Sequence, residues 1–135
     1  MKSTFYILVL ILIALSCNSD DDAQQNTEPT LFGPWSLVNV SGGFAGVNDD
    51  FEIGTIAWNF NQDHLELTVT NTNTTDVIFD GLPSGTYDYA LLTPVDEDAS
   101  VVINTFSYDI RTLTSSQLVL DEGIAFDGFL LTFNR

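Results

Sequence analysis

Side chains able to move protons or attack a substrate are scarce in this 135-residue sequence: one histidine, one cysteine and three basic residues stand beside 19 acids. A Ser-His-Asp arrangement would have to use His64, which lies beside the turn expected at Asn61-Gln62-Asp63, and no nucleophile motif accompanies it. Two carboxylates acting as acid and base need facing positions, whereas the acids here gather in segments expected to be loops. A lone histidine without a spare cysteine makes no ordinary zinc site. Calcium needs only oxygens, and Asn48-Asp49-Asp50 with Glu52, and Asp96-Glu97-Asp98, offer them, yet neither follows the glycine-containing EF-hand pattern. The expectation is a solvated acidic surface on a non-enzymatic chain, with no catalytic residue, metal or cofactor.

The cysteine has a different chemistry. Lys2, an apolar run from Phe5 to Leu15 and the small Ser16 precede Cys17, the three-part pattern of a signal peptide over residues 1–16. As a helix the apolar run spans only about 16 Å, against about 30 Å for a bilayer core. Ala14-Leu15-Ser16-Cys17 resembles the lipobox of bacterial lipoproteins, with Leu15 one position nearer the cysteine than the leucine of that pattern. The resemblance implies lipidation of Cys17 and a membrane anchor, which accounts for an unpaired thiol in an exported chain.

Loss of residues 1–16 removes Lys2 and leaves two arginines against 19 acids, a formal charge of −17. Such a surface repels phosphates, so nucleic acid is excluded as a partner. Residues 17–30 carry no large apolar side chain and read as a flexible acidic tether. Its run Ser19-Asp20-Asp21-Asp22 resembles the acidic export signal that sends Bacteroidota lipoproteins to the outer face of the outer membrane. Read without that resemblance, the run is a soluble spacer.

The elements that would position any site lie in residues 31–135, enough for one core. Period two dominates. Ile56, Trp58 and Phe60 alternate with Thr55, Ala57 and Asn59; Leu65, Leu67 and Val69 alternate with His64, Glu66 and Thr68. The pattern recurs at Tyr87, Tyr89 and Leu91, at Phe106, Tyr108 and Ile110, and at Phe129, Leu131 and Phe133, with a hairpin dipeptide at Asp127-Gly128. Between Ile103 and Phe106 the inward set changes parity, which predicts a bulge or tight bend at Asn104 or Thr105. About eight antiparallel strands suit a small up-and-down all-β barrel; a β-sandwich is the alternative, and pairing of the first and last strands would decide. The glycine-rich stretch from Ser41 to Ile53 reads either as a long mobile lip carrying Phe44 over one barrel mouth or as a loop whose Phe44 and Phe51 cover the core.

Gly33-Pro34-Trp35 at the start, Ile56 to Asn61, Tyr87-Asp88-Tyr89 and the closing Phe133-Asn134-Arg135 together resemble the lipocalin-like domain of small Bacteroidota lipoproteins. The resemblance implies that Trp35 packs beneath Arg135 to close one barrel end. It also implies a binding role; Phe44 on its loop and the inward aromatics Trp58, Tyr87 and Tyr89 are the candidate contacts for a small apolar molecule, a glycan or a protein. A structural cell-envelope protein with a filled barrel is the alternative. A void beside Trp58 and Tyr87 would favour the first, a filled interior the second.

Overall fold

The computed structural model of the protein describes residues 28–95 and 98–135. The expected signal peptide, Cys17, residues 18–27 of the expected tether, and the acids Asp96 and Glu97 lie outside the described residues. The strands are β1 (Gly33–Gly42), β2 (Val47–Asp50), β3 (Ile56–Asn61), β4 (Glu66–Asn71), β5 (Gly85–Leu92), β6 (Ser100–Ile103), β7 (Phe106–Leu113), β8 (Gln117–Asp121) and β9 (Phe129–Asn134). Alternation becomes burial most clearly in β3, where Ile56, Trp58 and Phe60 are buried and Asn59 is exposed.

All neighbours are antiparallel, and β1 pairs with β3 on one edge and with β9 on the other. That second pairing runs from Ser36↔Asn134 to Gly42↔Phe129 and closes β1 and β3 to β9 into an eight-strand barrel. It decides against a sandwich, in which the first and last strands remain edges. Inside lie Trp35, Leu37, Trp58, Phe60, Tyr108, Leu118, Leu120, Leu131 and Phe133, all fully buried.

The ninth strand, β2, corrects the expectation of a mobile lip. It continues along the same edge of β1 as β3, with Asn39↔Asp50 following Ser36↔Ala57. The reversal at 43–46 is possible because Gly43 has φ +68, and a Cβ there would stand 2.7 Å from the Phe129 ring. Asn48, Asp49 and Asp50 therefore belong to a strand, not a loop. Asn39 Nδ2 donates to Asn48 Oδ1 at 3.1 Å and Asp50 Oδ1 at 2.8 Å. Among the described residues no three His, Cys, Asp or Glu side chains converge as a metal-holding group.

The parity change is the tight bend expected at Asn104 or Thr105: the chain reverses there, with Ile103 paired to Phe106 and Asn104 at φ +50. Other expectations shift by a residue or two. Phe106 has the inward parity but stands at the barrel rim, half-exposed rather than interior. Leu65 does not belong to a strand; with φ +53 it ends the turn before β4, and His64 donates its N–H to Asn61 Oδ1 at 3.0 Å within that turn. Asp127-Gly128 is not a two-residue hairpin but the end of a connection, 122–128, that contains a 3-10 turn, Ile124–Phe126.

The antiparallel order sorts the connections between two ends. The lower end has the start of β1, the 62–65 turn, residues 93–95 after β5, residues 98–99 before β6, and the 114–116 turn. The upper end has the 43–46 turn, the 72–84 loop, the Asn104-Thr105 turn and the 122–128 connection. At the lower end Arg135 lies 3.9 Å over the Trp35 ring and donates to the carbonyls of Thr30, Phe32 and Ser115. That geometry closes the end by which the chain enters.

Candidate functional site

The upper end is closed differently, by a loop that dips inward. Residues 72–84 set Val77, Ile78, Phe79 and Leu82 among polar neighbours; Ile78 stays in solvent, whereas burying Phe79 and Leu82 draws the loop into the barrel mouth. Leu82 joins the core, while Phe79 stacks on Phe129 with centroids 4.4 Å apart and planes 12° from parallel. Between them Gly81, at φ +86, passes so near Trp58 that a Cβ would meet the ring carbon Cζ2 at 3.4 Å and Leu37 at 3.5 Å. The loop is a plug seated on Trp58.

Several polar contacts hold the plug from its flanks, three of them made by the side chains of Tyr87, Asn73 and Ser84. Tyr87 donates its hydroxyl to the Pro83 carbonyl at 2.8 Å. Asn73 Nδ2 donates to Asp80 Oδ2 at 3.0 Å. Ser84 Oγ accepts the Asn71 N–H at 2.8 Å. Each is exposed or partly so, and worth about 1 kcal/mol in such a setting.

Beneath the plug, Trp58 packs against Phe133 at 5.0 Å and against Phe60 and Tyr108, each at 6.3 Å. Its indole Nε1–H is buried without a hydrogen-bond partner. The other tryptophan shows what is missing, since Trp35 Nε1 donates to the Leu31 carbonyl at 2.7 Å. An orphaned buried donor costs about 1 to 3 kcal/mol, which makes it the least comfortable polar atom of the mouth.

The four aromatic candidates therefore do not form one site. Trp58 and Tyr87 meet through the plug, one beneath Gly81 and one bonded to Pro83. Tyr89 is a core residue nearer the lower end, edge-on to Phe60 at 5.3 Å, with its hydroxyl on the Asn61 carbonyl; burial raises its pKa. Phe44 stands at the tip of the 43–46 turn, 93% exposed, covering neither the mouth nor the core. Sequence reasoning missed the plug residues Phe79, Gly81 and Leu82. The available signal was the apolar Phe79 and Leu82 on either side of Asp80 and Gly81 in a segment with no strand alternation.

On the far side of the mouth, Asp121 organises the 122–128 connection. Its Oδ1 accepts the N–H groups of Gly123 and Ile124, both at 2.7 Å, and its Oδ2 receives Arg111 through Nε at 2.9 Å and Nη2 at 2.8 Å. The next residue, Glu122, is pushed upward by burial, with a smaller opposing effect from a Phe129 backbone bond. Burial first, and the Glu122 carboxylate second, likewise raise Tyr108 above the ordinary tyrosine range. A raised carboxyl favours the neutral folded form, so Glu122 subtracts stability as pH rises from its ordinary 4.5 through its folded value. Glu122→Gln is expected to remove that decline while still accepting from Phe129, which melts across the acid range will show.

No protein-family model matches this chain, and neither a curated protein nor a solved structure shows significant similarity to it. The class is thus defined by fold and site alone: a closed eight-strand antiparallel barrel with one appended strand, clamped at its lower end and plugged at its upper end.

Proposed function

We propose that this chain is a lipid-anchored, non-enzymatic binding module that takes a small neutral apolar molecule at the plugged mouth. The observation that carries the reading is the buried Trp58 Nε1–H, which faces Gly81 and has no partner. A molecule that displaces Leu82 regains its apolar burial, and a single acceptor oxygen on it satisfies the indole. Anionic ligands are opposed by the formal charge of −16 over the whole sequence. The lipocalin resemblance supports a ligand in a barrel mouth. The lipobox-like sequence at Cys17 supports a membrane anchor, and the acidic run after it supports display at the outer face of a bacterial outer membrane. One histidine and no lysine beyond Lys2 support a role in binding rather than catalysis.

The plug competes with the ligand, so apparent affinity falls with the fraction of molecules whose plug is open. Leu82→Ala removes part of the plug's burial, at a stability cost of about 2 to 3 kcal/mol, and is expected to tighten binding. The two indole N–H resonances give the test, read in an NMR titration with a neutral medium-chain aliphatic ketone. The Trp58 proton should move downfield to saturation while that of Trp35, already bonded to Leu31, stays in place. If both stay in place up to the solubility limit, in the native chain and in Leu82→Ala, the mouth takes no such ligand. The interior around Trp58 is filled, which is the observation on the side of the second reading, a structural envelope protein with a filled barrel, and that reading then replaces the first.

A further inference from the structure

The upper end carries a second feature, independent of the plug. Phe44 is 93% exposed, Phe126 90% and Ile78 70%, each on a different connection. The connections touch: the Gly43 N–H donates to the Gly128 carbonyl at 2.9 Å, and a Cβ on Gly42 would meet Ile124 at 3.3 Å. On the other flank of the 43–46 turn a groove of about 420 Å³ runs between Gly46, Val47 and Asn48 on one wall and Asp76, Val77 and Ile78 on the other. Three large apolar side chains held in water around one rim are not needed by the core, which excludes them.

Charge selects the occupant. Asp49 and Asp76 line the groove and Asp127 follows Phe126, while both arginines are engaged elsewhere, Arg111 with Asp121 and Arg135 at the lower end. The sequence has no lysine beyond Lys2. A second copy would bring the same acids against these, and an anionic lipid surface is repelled for the same reason.

We propose that this rim docks a cationic amphipathic segment of another protein. Apolar side chains of the segment pack on Phe44, Phe126 and Ile78, and its lysines or arginines face Asp49, Asp76 and Asp127. The rim also points away from Thr30, where the chain enters the barrel, and so stays accessible if the entering segment is held at a surface.

Calorimetric titration with a synthetic amphipathic leucine–lysine peptide, its leucine–glutamate counterpart and zwitterionic lipid vesicles tests this. Expected is saturable binding of the lysine peptide alone, weakened by salt. The double variant F44S/F126S should weaken it about tenfold or more, as hot-spot aromatics do, with an unchanged melting temperature because both rings are already in water. D49N/D76N/D127N should weaken it comparably. Affinity unchanged in F44S/F126S would show generic charge attraction and overturn the proposal. Equal binding of the glutamate peptide, binding to the vesicles, or an oligomer that F44S/F126S dissociates would overturn it in favour of another occupant. None of these outcomes depends on Trp58, so the mouth and the rim stand or fall separately.

Discussion

Replacing Asp121 by alanine is expected to destabilise the barrel by about 3 kcal/mol, which for a domain near this size lowers the melting temperature by roughly 12 to 24 °C. The Asp121 side chain is 2% exposed, and its two oxygens meet four donors: two N–H groups of the 122–128 connection and two of Arg111. Removal leaves the Gly123 and Ile124 N–H groups without acceptors, a loss of about 1 to 3 kcal/mol for each that stays buried. Arg111, 49% exposed, recovers hydration when its partner goes, which keeps the total near the lower limit for a broken buried pair. Asp121→Asn should cost nearly as much, because one amide oxygen cannot serve both sides and the amide nitrogen confronts donors.

The same carboxylate makes an acid-dependent contribution. Burial pushes its pKa up, but the N–H groups of Ile124 and Gly123 and then Arg111 outweigh burial, and the net shift is below the ordinary 3.8. A depressed carboxyl contributes stability that is present above its unfolded pKa and lost as pH falls through the folded one. The gap between the native chain and Asp121→Asn should therefore be widest above about pH 4 and narrow below it, in chemical denaturation at matched ionic strength. A gap independent of pH would mean that shape rather than charge holds the connection.

Asp121 also marks where sequence reading stops. An acid at a strand end looks like every other acid in this chain, and its burial is decided by Arg111 and a 3-10 turn that no periodicity announces. The strands themselves were legible wherever side chains alternated over a buried face, as in Ile56, Trp58 and Phe60. Alternation misled where it ran past a strand's end: Leu65 continues the pattern but sits in a turn at φ +53, and Phe106 keeps the inward parity where the barrel has already opened. β2 was illegible because Val47 is its one buried residue. Its existence depends on the free edge of β1, a tertiary fact. Barrel closure rests on pairing between residues 36–42 and 129–134, separations at which a sequence offers parity but no partner.

The candidate site was half legible for the same reason. Trp58 and Tyr87 stood out as inward aromatics, and the structure places both against the plug. What the alternation could not show was that residues 79–82 fold back onto Trp58, since a loop's direction is set by what it can bury. Phe44 was visible as an apolar residue among glycines, yet its full exposure follows from the tight 43–46 turn and the pairing of β2.

At the lower end, Arg135→Ala is expected to cost about 2 to 3 kcal/mol and Arg135→Lys to distinguish two causes. The guanidinium contributes a cation–π contact with Trp35, worth about 0.5 to 2 kcal/mol, and a fork that bonds the carbonyls of Phe32 and Thr30 at 2.9 Å and Ser115 at 3.0 Å. Lysine keeps the charge and can lie over the ring, but one ammonium cannot reach three carbonyls on two separate segments. If the fork dominates, Arg135→Lys melts close to Arg135→Ala; if the ring contact dominates, it melts close to the native chain. The fork should win, because it alone ties the entering residues 30–32 to the 114–116 turn. Amide exchange gives the local reading: in Arg135→Lys, protection should fall at Phe32 and Trp35 while that of β5 and β6 is kept. Loss spread evenly over all strands would mean that the contact serves global stability alone and is no clamp on the chain's entry.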